Sequence, residues 1–425
     1  MPSRFTAIRL VLRGRNYRLF VVGQLVSLVG TWTRSVAQAW LVYRLTGSAL
    51  WLGVVAACQQ VPVVIFASLG GSLADRYRRR TTLVITQLAA MALSFTLAGL
   101  AMSGTIRLSH MIVVAVLAGV VSSVDIPTRQ AFVADMVGRD RLMTAVALNA
   151  SMAMCAASLG PVIAGFAVDA VGEGWCFFGD GVSFAAVIAA LLAMRELPAP
   201  NAARSAESFA TRIAVGFSFA RRNTQVRALL ALLAITAFAG LPYGTLFPVL
   251  AAQVFHGDAR ALGALTAASG VGALLGAAML ALRRGGAPTM RLIGLACAML
   301  GATLVAFACS HQLWLSLVLL VPLGAATMIQ VSATNTLIQL ATPDALRGRV
   351  MAIWAMVVMG FVPLGALVAS AVASLASPGL PLAVGGVICV LAAVGFRRSG
   401  SCARTAADPP GTDPATRRAA RETPR

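Results

Sequence analysis

Twelve long apolar blocks, parted by short polar breaks, limit what this chain can become more than any other feature of it. Each block has the roughly 20 to 30 residues that let a helix cross a hydrocarbon core about 30 Å thick. Inside such a core the backbone meets no water, so each block must close its own hydrogen bonds as a helix. Spans 1 to 6 are placed at 17–43, 49–73, 81–103, 110–136, 142–169 and 174–194. Spans 7 to 12 are placed at 225–254, 260–282, 289–309, 312–341, 346–374 and 380–396. Composition agrees: 59% of the 425 residues are hydrophobic and only 11% are charged, against about 25% charged in a soluble domain.

The remaining charge is sorted by loop. All 34 basic residues are arginine, and the net charge is +20. With the N-terminus placed inside, Arg34 falls within a span and only Arg44, Arg107 and Arg260 face outward. Every other arginine then lies on the cytoplasmic side or at its edge, which is the positive-inside rule. The expectation is a multi-pass protein of a bacterial inner membrane with both termini cytoplasmic. Nucleic acid is excluded as a partner, because it needs arginines gathered on one surface with aromatic or groove-reading elements.

The first apolar run follows arginines, as in a signal peptide, but it is too long and lacks a small-residue cleavage site. It reads as a retained span. Cys58, Cys155, Cys176, Cys297, Cys309, Cys389 and Cys402 show no CxxC spacing, and His110, His256 and His311 are scattered. No metal site is expected from that pattern. A phosphate-binding G-x-x-x-x-G-K-[ST] loop is absent, so ATP does not drive this chain and no cofactor is expected. The outer loops are short and carry Asp169, Glu173 and Asp258, too little acid for a lipid-linked membrane enzyme.

Residues 195–224 interrupt the apolar pattern. Their first part is Pro/Ala/Ser-rich, and from Ser208 to Arg222 the residues Phe209, Ile213, Phe217 and Ala220 recur at helical spacing beside arginines, as in an interfacial helix. The expected organisation is a cytoplasmic N-terminus (1–16), a six-helix bundle (17–194), a cytoplasmic linker with an interfacial helix (195–224), a second bundle (225–396) and a disordered cytoplasmic tail (397–425). The halves look related. Arg15-Asn16 recurs as Arg222-Asn223, the basic turn at Arg78 as Arg283-Arg284, and Pro161 as Pro363. An internal repeat with a site between its copies is a transporter architecture.

The loop after span 2 reads Gly70-Gly71-Ser72-Leu73-Ala74-Asp75-Arg76-Tyr77-Arg78-Arg79-Arg80. Its glycines suit close packing and a tight turn, and Asp75 is a lone acid among arginines. It resembles the major facilitator signature G-x-L-x-D-R-x-G-R-R, with Arg78 in place of a Gly. The resemblance implies that Gly71, Asp75, Arg76, Arg79 and Arg80 belong to a latch on the cytoplasmic side that reaches the start of span 11. Span 5 carries Gly160-Pro161-Val162-Ile163-Ala164-Gly165, similar to the G-P-x-x-G-G stretch of exporters in that superfamily, with Ala164 for the first closing Gly. Over about 16–396 the chain resembles the enterobactin-exporter-like branch, the transmembrane secretion effector group. The likeness rests on Asn16-Tyr17-Arg18-Leu19-Phe20, Gly30-Thr31-Trp32, Ala37-Gln38-Ala39-Trp40-Leu41-Val42-Tyr43, Asp125-x-Pro127-x-Arg129-Gln130-Ala131-Phe132 and Leu346-Arg347-Gly348-Arg349-Val350. Arg34 and Asp180 depart from it, where Gln and Asn are usual. The resemblance implies an all-α membrane protein of twelve transmembrane helices, two six-helix bundles around a central cavity, with spans 1, 4, 7 and 10 lining that cavity.

The polar residues inside the spans fit a cavity. Gln24, Ser27, Thr31, Arg34 and Gln38 repeat at helical spacing and share one face of span 1. Ser332, Asn335, Thr336 and Gln339 do so on span 10, and Ser122, Asp125 and Arg129 on span 4. A charge at a helix centre costs about 2.5–3.5 kcal/mol on insertion scales, so it faces protein or water. Asp125 and Arg129 stand in the favourable order for an i,i+4 ion pair and are read as part of the cytoplasmic gate. Asp180 and Asp125 are the candidates for proton coupling. For Arg34 two readings stand: a compensating pair with Asp180, or a cavity group that selects an anionic or carbonyl-rich substrate. The function expected is secondary transport by alternating access, as proton-coupled efflux of a small amphipathic molecule by a monomer in the lipid bilayer. An importer, a lysophospholipid flippase and a non-transporting sensor or scaffold of the same fold remain alternatives.

Overall fold

A computed structural model of the protein describes residues 10–11, 13–138, 141–195, 209–283 and 288–405. Side chains at 67–68, 74–75, 143, 209–213 and 398–405 lie outside that description, as does the tail from 406. Among the described residues, 12 helices are long and apolar enough to cross a membrane. They are Arg15–Thr46, Ala49–Arg76, Arg79–Met102, Leu108–Val137, Leu142–Val171, Glu173–Ala193, Thr224–Val254, Ala259–Leu282, Met290–Ala308, Leu313–Ala341, Asp344–Leu375 and Gly379–Thr405. These are spans 1 to 12 in order. A linker helix, Phe209–Arg222, lies between the halves.

Local chemistry sets several ends. Gly47 takes a left-handed φ of 61° and returns its N–H to the Tyr43 carbonyl, which stops span 1. The side chains of Asn223, Asp258 and Thr289 accept backbone N–H groups at the starts of spans 7, 8 and 9. Three features differ from the sequence expectation. Span 2 passes straight through Gly70-Gly71 to Arg76, so the turn falls at Tyr77-Arg78. Arg78 sits there at φ −60° and ψ 112°, which any L-residue adopts, so its place in the motif needs no glycine. Span 12 continues to Thr405, past the expected end at 396; the next proline is Pro409.

The third difference is span 7. It is α-helical only over Thr224–Ala239, then 3-10 over Leu241–Leu246, and π over Leu250–Val254 after a single turn at Phe247–Val249. Pro242 and Pro248 bring no N–H to the ladder, and Gly240 and Gly244 loosen it further. Hydropathy does not register such a break, because the segment stays apolar throughout.

Packing repeats between the halves. Spans 2 and 4 pair as do 8 and 10; spans 1 and 6 pair as do 7 and 12; spans 3 and 6 pair as do 9 and 12. The halves meet chiefly through span 2 on span 11 and span 5 on span 8. We call the end bearing the N-terminus and the arginine-rich loops the basic end. At the other end, one core joins both halves: Leu41, Leu52, Ala164 and Phe177 share it with Phe247, Leu262, Leu323 and Ala373. At the basic end each half keeps its own core, one around Tyr17, Phe20, Phe132 and Leu191 and the other around Leu229, Ile293, Leu337 and Val350. The two bundles are therefore closed at one end and apart at the other.

Candidate functional site

A cavity of about 470 Å³ lies between the halves beneath the shared core. Spans 1, 2, 5, 7 and 8 form its wall, with Trp32, Val55, Met154, Tyr243, Phe247 and Leu262 among its apolar lining. The broken stretch of span 7 contributes Leu241, Tyr243, Gly244, Thr245, Phe247 and Pro248, so the loss of α-helical regularity occurs at the cavity itself. Arg34, Gln38 and Gln59 are polar exceptions in this wall. A few placed polar groups in a mostly apolar concavity is the usual form of a small-molecule site.

The span 5 motif shapes the seam around that cavity. A Cβ on Gly160 would come within 2.5 Å of Trp32 Cβ on span 1. One on Gly263 of span 8 would stand 2.6 Å from the Pro161 carbonyl and 2.9 Å from Gly165 Cα. The Ala157 carbonyl, which loses its helical donor to Pro161, faces Gly270. Small residues thus let spans 5 and 8 touch backbone to backbone across the two halves. At the end of this seam Arg260 of span 8 is ion-paired with Asp169 of span 5, and its guanidinium lies 5.7 Å from the Phe166 ring.

Arg34 Nε is 3.0 Å from Asp180 Oδ2, and the two side chains are 12% and 0% exposed. The N–H does not point along this contact, so it is an ion pair rather than an aligned hydrogen bond. Ser94 donates to Asp180 at 2.6 Å and Thr31 at 3.3 Å. Arg34 also donates from its terminal nitrogen to Gln38 at 2.9 Å. Two charges that are each costly in hydrocarbon thereby cancel, and the carboxylate has donors from spans 1 and 3. Arg34 belongs to both readings at once, because it pairs with Asp180 and lines the cavity.

The remaining members of the span 1 stripe go elsewhere. Gln24, Ser27 and Thr31 line a separate chamber inside the N-terminal bundle, together with Arg34, Gln59, Ser94, Gln87, Asp125 and Arg129. Asp125 accepts from Thr86 and Gln87, each at 2.9 Å, and pairs with Arg129 at 3.3 Å. The structure does not bring Ser332, Asn335 or Gln339 to either of these spaces. They sit in the last turns of span 10 at the basic end, below the cavity, where Gln339 donates to Asn335 of the same helix at 2.7 Å.

At the loop after span 2, Gly71 faces open space, whereas a Cβ on Gly70 would collide with the Ser123 carbonyl of span 4. Gly70 is the residue that close packing requires. Arg76 stands 6.0 Å from the Tyr77 ring, Arg79 meets Asp135 at 2.6 Å, and Arg80 donates to the Leu192 carbonyl at 2.7 Å. The Asp75 side chain lies outside the described residues. At the start of span 11, Arg347 pairs with Asp344 at 2.5 Å.

The family model described as transmembrane secretion effector matches residues 10–409. The chain belongs to this family. Among curated relatives, the transmembrane secretion effector chain is similar to the staphyloferrin A transporter of Staphylococcus aureus strain NCTC 8325, with 24% identity over 357 residues, 83% of this chain and 88% of the relative. It is also similar to the enterobactin exporter EntS of Escherichia coli O1:K1, with 27% identity over 383 residues, 86% of each. Among solved structures, a POT family transporter in complex with a thioalcohol-conjugated peptide aligns at TM-score 0.74 and 12% identity, covering 92% of this chain and 96% of that one. The nucleoside transporter NupG aligns at TM-score 0.68 and 11% identity, covering 90% of this chain and 98% of that one. The fold is that of the major facilitator transporters, and this secretion effector chain is a multi-pass membrane transporter. Sequence reasoning missed Gln59, Asp135, Gly263 and Gly270. Gly263 and Gly270 lie seven apart on one helix face, a small-residue pattern that is visible in the sequence once span 5 is known to need a partner.

Proposed function

We propose that this chain exports a small amphipathic molecule across the bacterial inner membrane in exchange for protons, by alternating access. The carrying observation is the apolar cavity of about 470 Å³ between two bundles that are joined at one end and apart at the other. The positive-inside rule assigns the basic end, both termini and the 195–224 linker to the cytoplasm, so the cavity is reached from the compartment an exporter loads from. The family name and the two curated relatives, one named an exporter, favour outward transport of siderophore-like molecules. Asp180 is the proposed proton carrier, because it is a fully buried acid whose counter-charge among the described residues, Arg34, lines the cavity. Asp75, Arg76, Arg79, Arg80, Asp125 and Arg129 are the proposed cytoplasmic gate. The protein is proposed to work as a monomer.

The test is uptake of enterobactin and of staphyloferrin A into inverted membrane vesicles with an imposed proton gradient. Accumulation that follows the gradient and collapses with an uncoupler is expected for at least one of them. Uptake that appears only when vesicles are right-side-out overturns the export direction. Reporter fusions at Asn201 and Thr412 are both expected to report cytoplasm, and either one reporting the outer side overturns the orientation.

A further inference from the structure

The chamber inside the N-terminal bundle is a space of about 180 Å³ that the substrate reading leaves unused. One end is formed by Thr31, Arg34 and Ser94, the groups that hold Asp180. The other is formed by Gln87, Asp125 and Arg129. Gln24 to Arg34, at 1.5 Å per residue of helix, gives it a length of about 15 Å. Asp180 lies behind the deep end with no exposure of its own, reached through the Thr31 and Ser94 hydroxyls, while the Arg129 side chain is 31% exposed at the shallow, basic end. The side-chain oxygens of Gln24 and Gln87 are buried in its wall with no partner among the described residues. Buried polar atoms are almost always hydrogen-bonded, to water where protein offers nothing. A polar cavity of this size holds several waters, and a file of them would link Asp125 in its wall to the Ser94 and Thr31 hydroxyls that donate to Asp180.

Arg34 and Gln59 line both this chamber and the substrate cavity. Among the described residues, Arg34 is the only charged one lining the cavity. Resting on the proton-exchange reading above, we propose that the chamber is a hydrated proton route between Asp180 and the basic end, separate from the substrate's path, and that Arg34 is the shared wall that makes proton and substrate alternate. A hydronium at the Arg129 mouth passes its proton along the waters and through the Ser94 hydroxyl to the Asp180 carboxylate, and export runs this path in reverse, discharging the proton at the basic end. The carboxylate becomes a neutral acid, one water is left behind, and the ion pair with Arg34 dissolves. The guanidinium cannot give up its own proton. Its free charge then turns to Gln38 and Gln59 at the cavity wall, where a solvated cation and an uncharged occupant of an apolar pocket exclude each other. Loss of the proton re-forms the pair, leaves the wall neutral and readmits the substrate. The class this favours is an uncharged molecule with hydroxyl or carbonyl groups. Among described residues, span 1 presents Arg34 and Thr31 to Asp180 and span 3 presents Ser94. The charges elsewhere on spans 5 and 6 are already matched, Asp169 with Arg260 and Glu173 with Arg44.

The experiment uses the purified full-length protein in proteoliposomes, followed by time-resolved infrared spectroscopy of the protonated-carboxyl band after an acid jump. The component missing from Arg34→Gln/Asp180→Asn, a double variant that keeps the site neutral, belongs to Asp180. Gln24→Leu with Gln87→Leu is expected to slow the rise of that component by about tenfold, one decade of barrier, with its final height unchanged. In the same protein a cysteine at Thr266, with native cysteines replaced by alanine, reports the cavity. Acidification is expected to raise its reactivity toward an anionic over a cationic thiosulfonate by about fivefold. An unchanged rate in the leucine variants overturns the chamber route and leaves proton exchange standing. An unchanged reagent ratio overturns the Arg34 switch. If no Asp180 component appears at any pH at which the protein stays folded, the proton-exchange reading fails and the inference with it.

Discussion

The two ends of this molecule are built from the same pair of bundles, and only one of them is closed. At the end away from the arginines, spans 5 and 8 touch through Gly165 and Gly263, span 2 meets span 11 where a Cβ on Gly53 would come within 2.8 Å of Ser370 Cβ, and both halves share one apolar core. That closure is a matter of shape. At the basic end the facing elements carry Arg76, Arg79, Arg80, Arg129, Arg347 and Arg349, and each half has its own core. Closing that end would crowd cations, and in the gate proposed above the acids Asp75, Asp125, Asp135 and Asp344 would offset them. Packing holds the closed end, whereas charge compensation would hold the proposed gate at the other, and substitutions at the two ends should therefore fail differently.

The sharpest break is at the seam. Gly263→Val places carbon where the Pro161 carbonyl already stands at 2.6 Å from a bare Cβ. Spans 5 and 8 must part, and overpacking of this kind costs about 1–3 kcal/mol. Spin labels at Thr105 and Gln312, on loops at the closed end, are expected to move apart in the distance distribution, and transport is expected to be lost. A distribution identical to wild type would mean that the seam does not hold that end.

Between the two ends, Arg34→Gln or Asp180→Asn alone is expected to lower thermal stability by about 3–5 kcal/mol, because each leaves one buried charge without its partner. The double change is expected to recover most of that loss. A double variant no more stable than the worse single one would break the pairing account. At the basic end, Asp75→Asn is expected to leave insertion and abundance normal while transport slows about tenfold, one decade in rate being 1.36 kcal/mol. Near wild-type transport would remove Asp75 from the gate.

How much of this was legible beforehand depends on how local the cause is. Span ends near Gly47, Asn223 and Asp258 follow from chemistry within a turn of the chain, and the expected spans lie close to those observed. The Arg34–Asp180 pair was legible only as one of two readings, because two unusual residues occur at compatible depths while their separation in the chain hid the contact. The division of the span 1 stripe was not legible. Helical spacing puts Gln24, Thr31, Arg34 and Gln38 on one face, but the neighbours decide that Gln24 and Thr31 line the chamber inside the N-terminal bundle while Gln38 lines the cavity between the halves. Span 10 shows the same limit: Asn335 and Gln339 share a face, yet the depth of the cavity, set by the shared core, leaves them below it. The break in span 7 was marked by Gly240, Pro242, Gly244 and Pro248, and was missed because an apolar run reads as one helix.

The smallest effect expected is at the Arg260–Asp169 pair, and it tests the contrast between shape and charge most directly. The pair crosses the two halves at the closed end, with side chains 56% and 35% exposed, and the Phe166 ring lies under the guanidinium. Exposed pairs of this kind are worth about 0–1 kcal/mol, since water competes for both ions and salt screens them. If shape closes this end, Arg260→Ala shifts the balance of conformations by no more than about fivefold, the equivalent of 1 kcal/mol. The Thr105–Gln312 distance distribution should then gain only a minor longer component, and the gain should shrink as salt is raised. Asp169→Asn is expected to do the same, and the double variant no more than either, because both remove one interaction. A wholesale opening on Arg260→Ala, comparable to Gly263→Val, would show that this end too is held by charge, and the two gates would then differ in degree only.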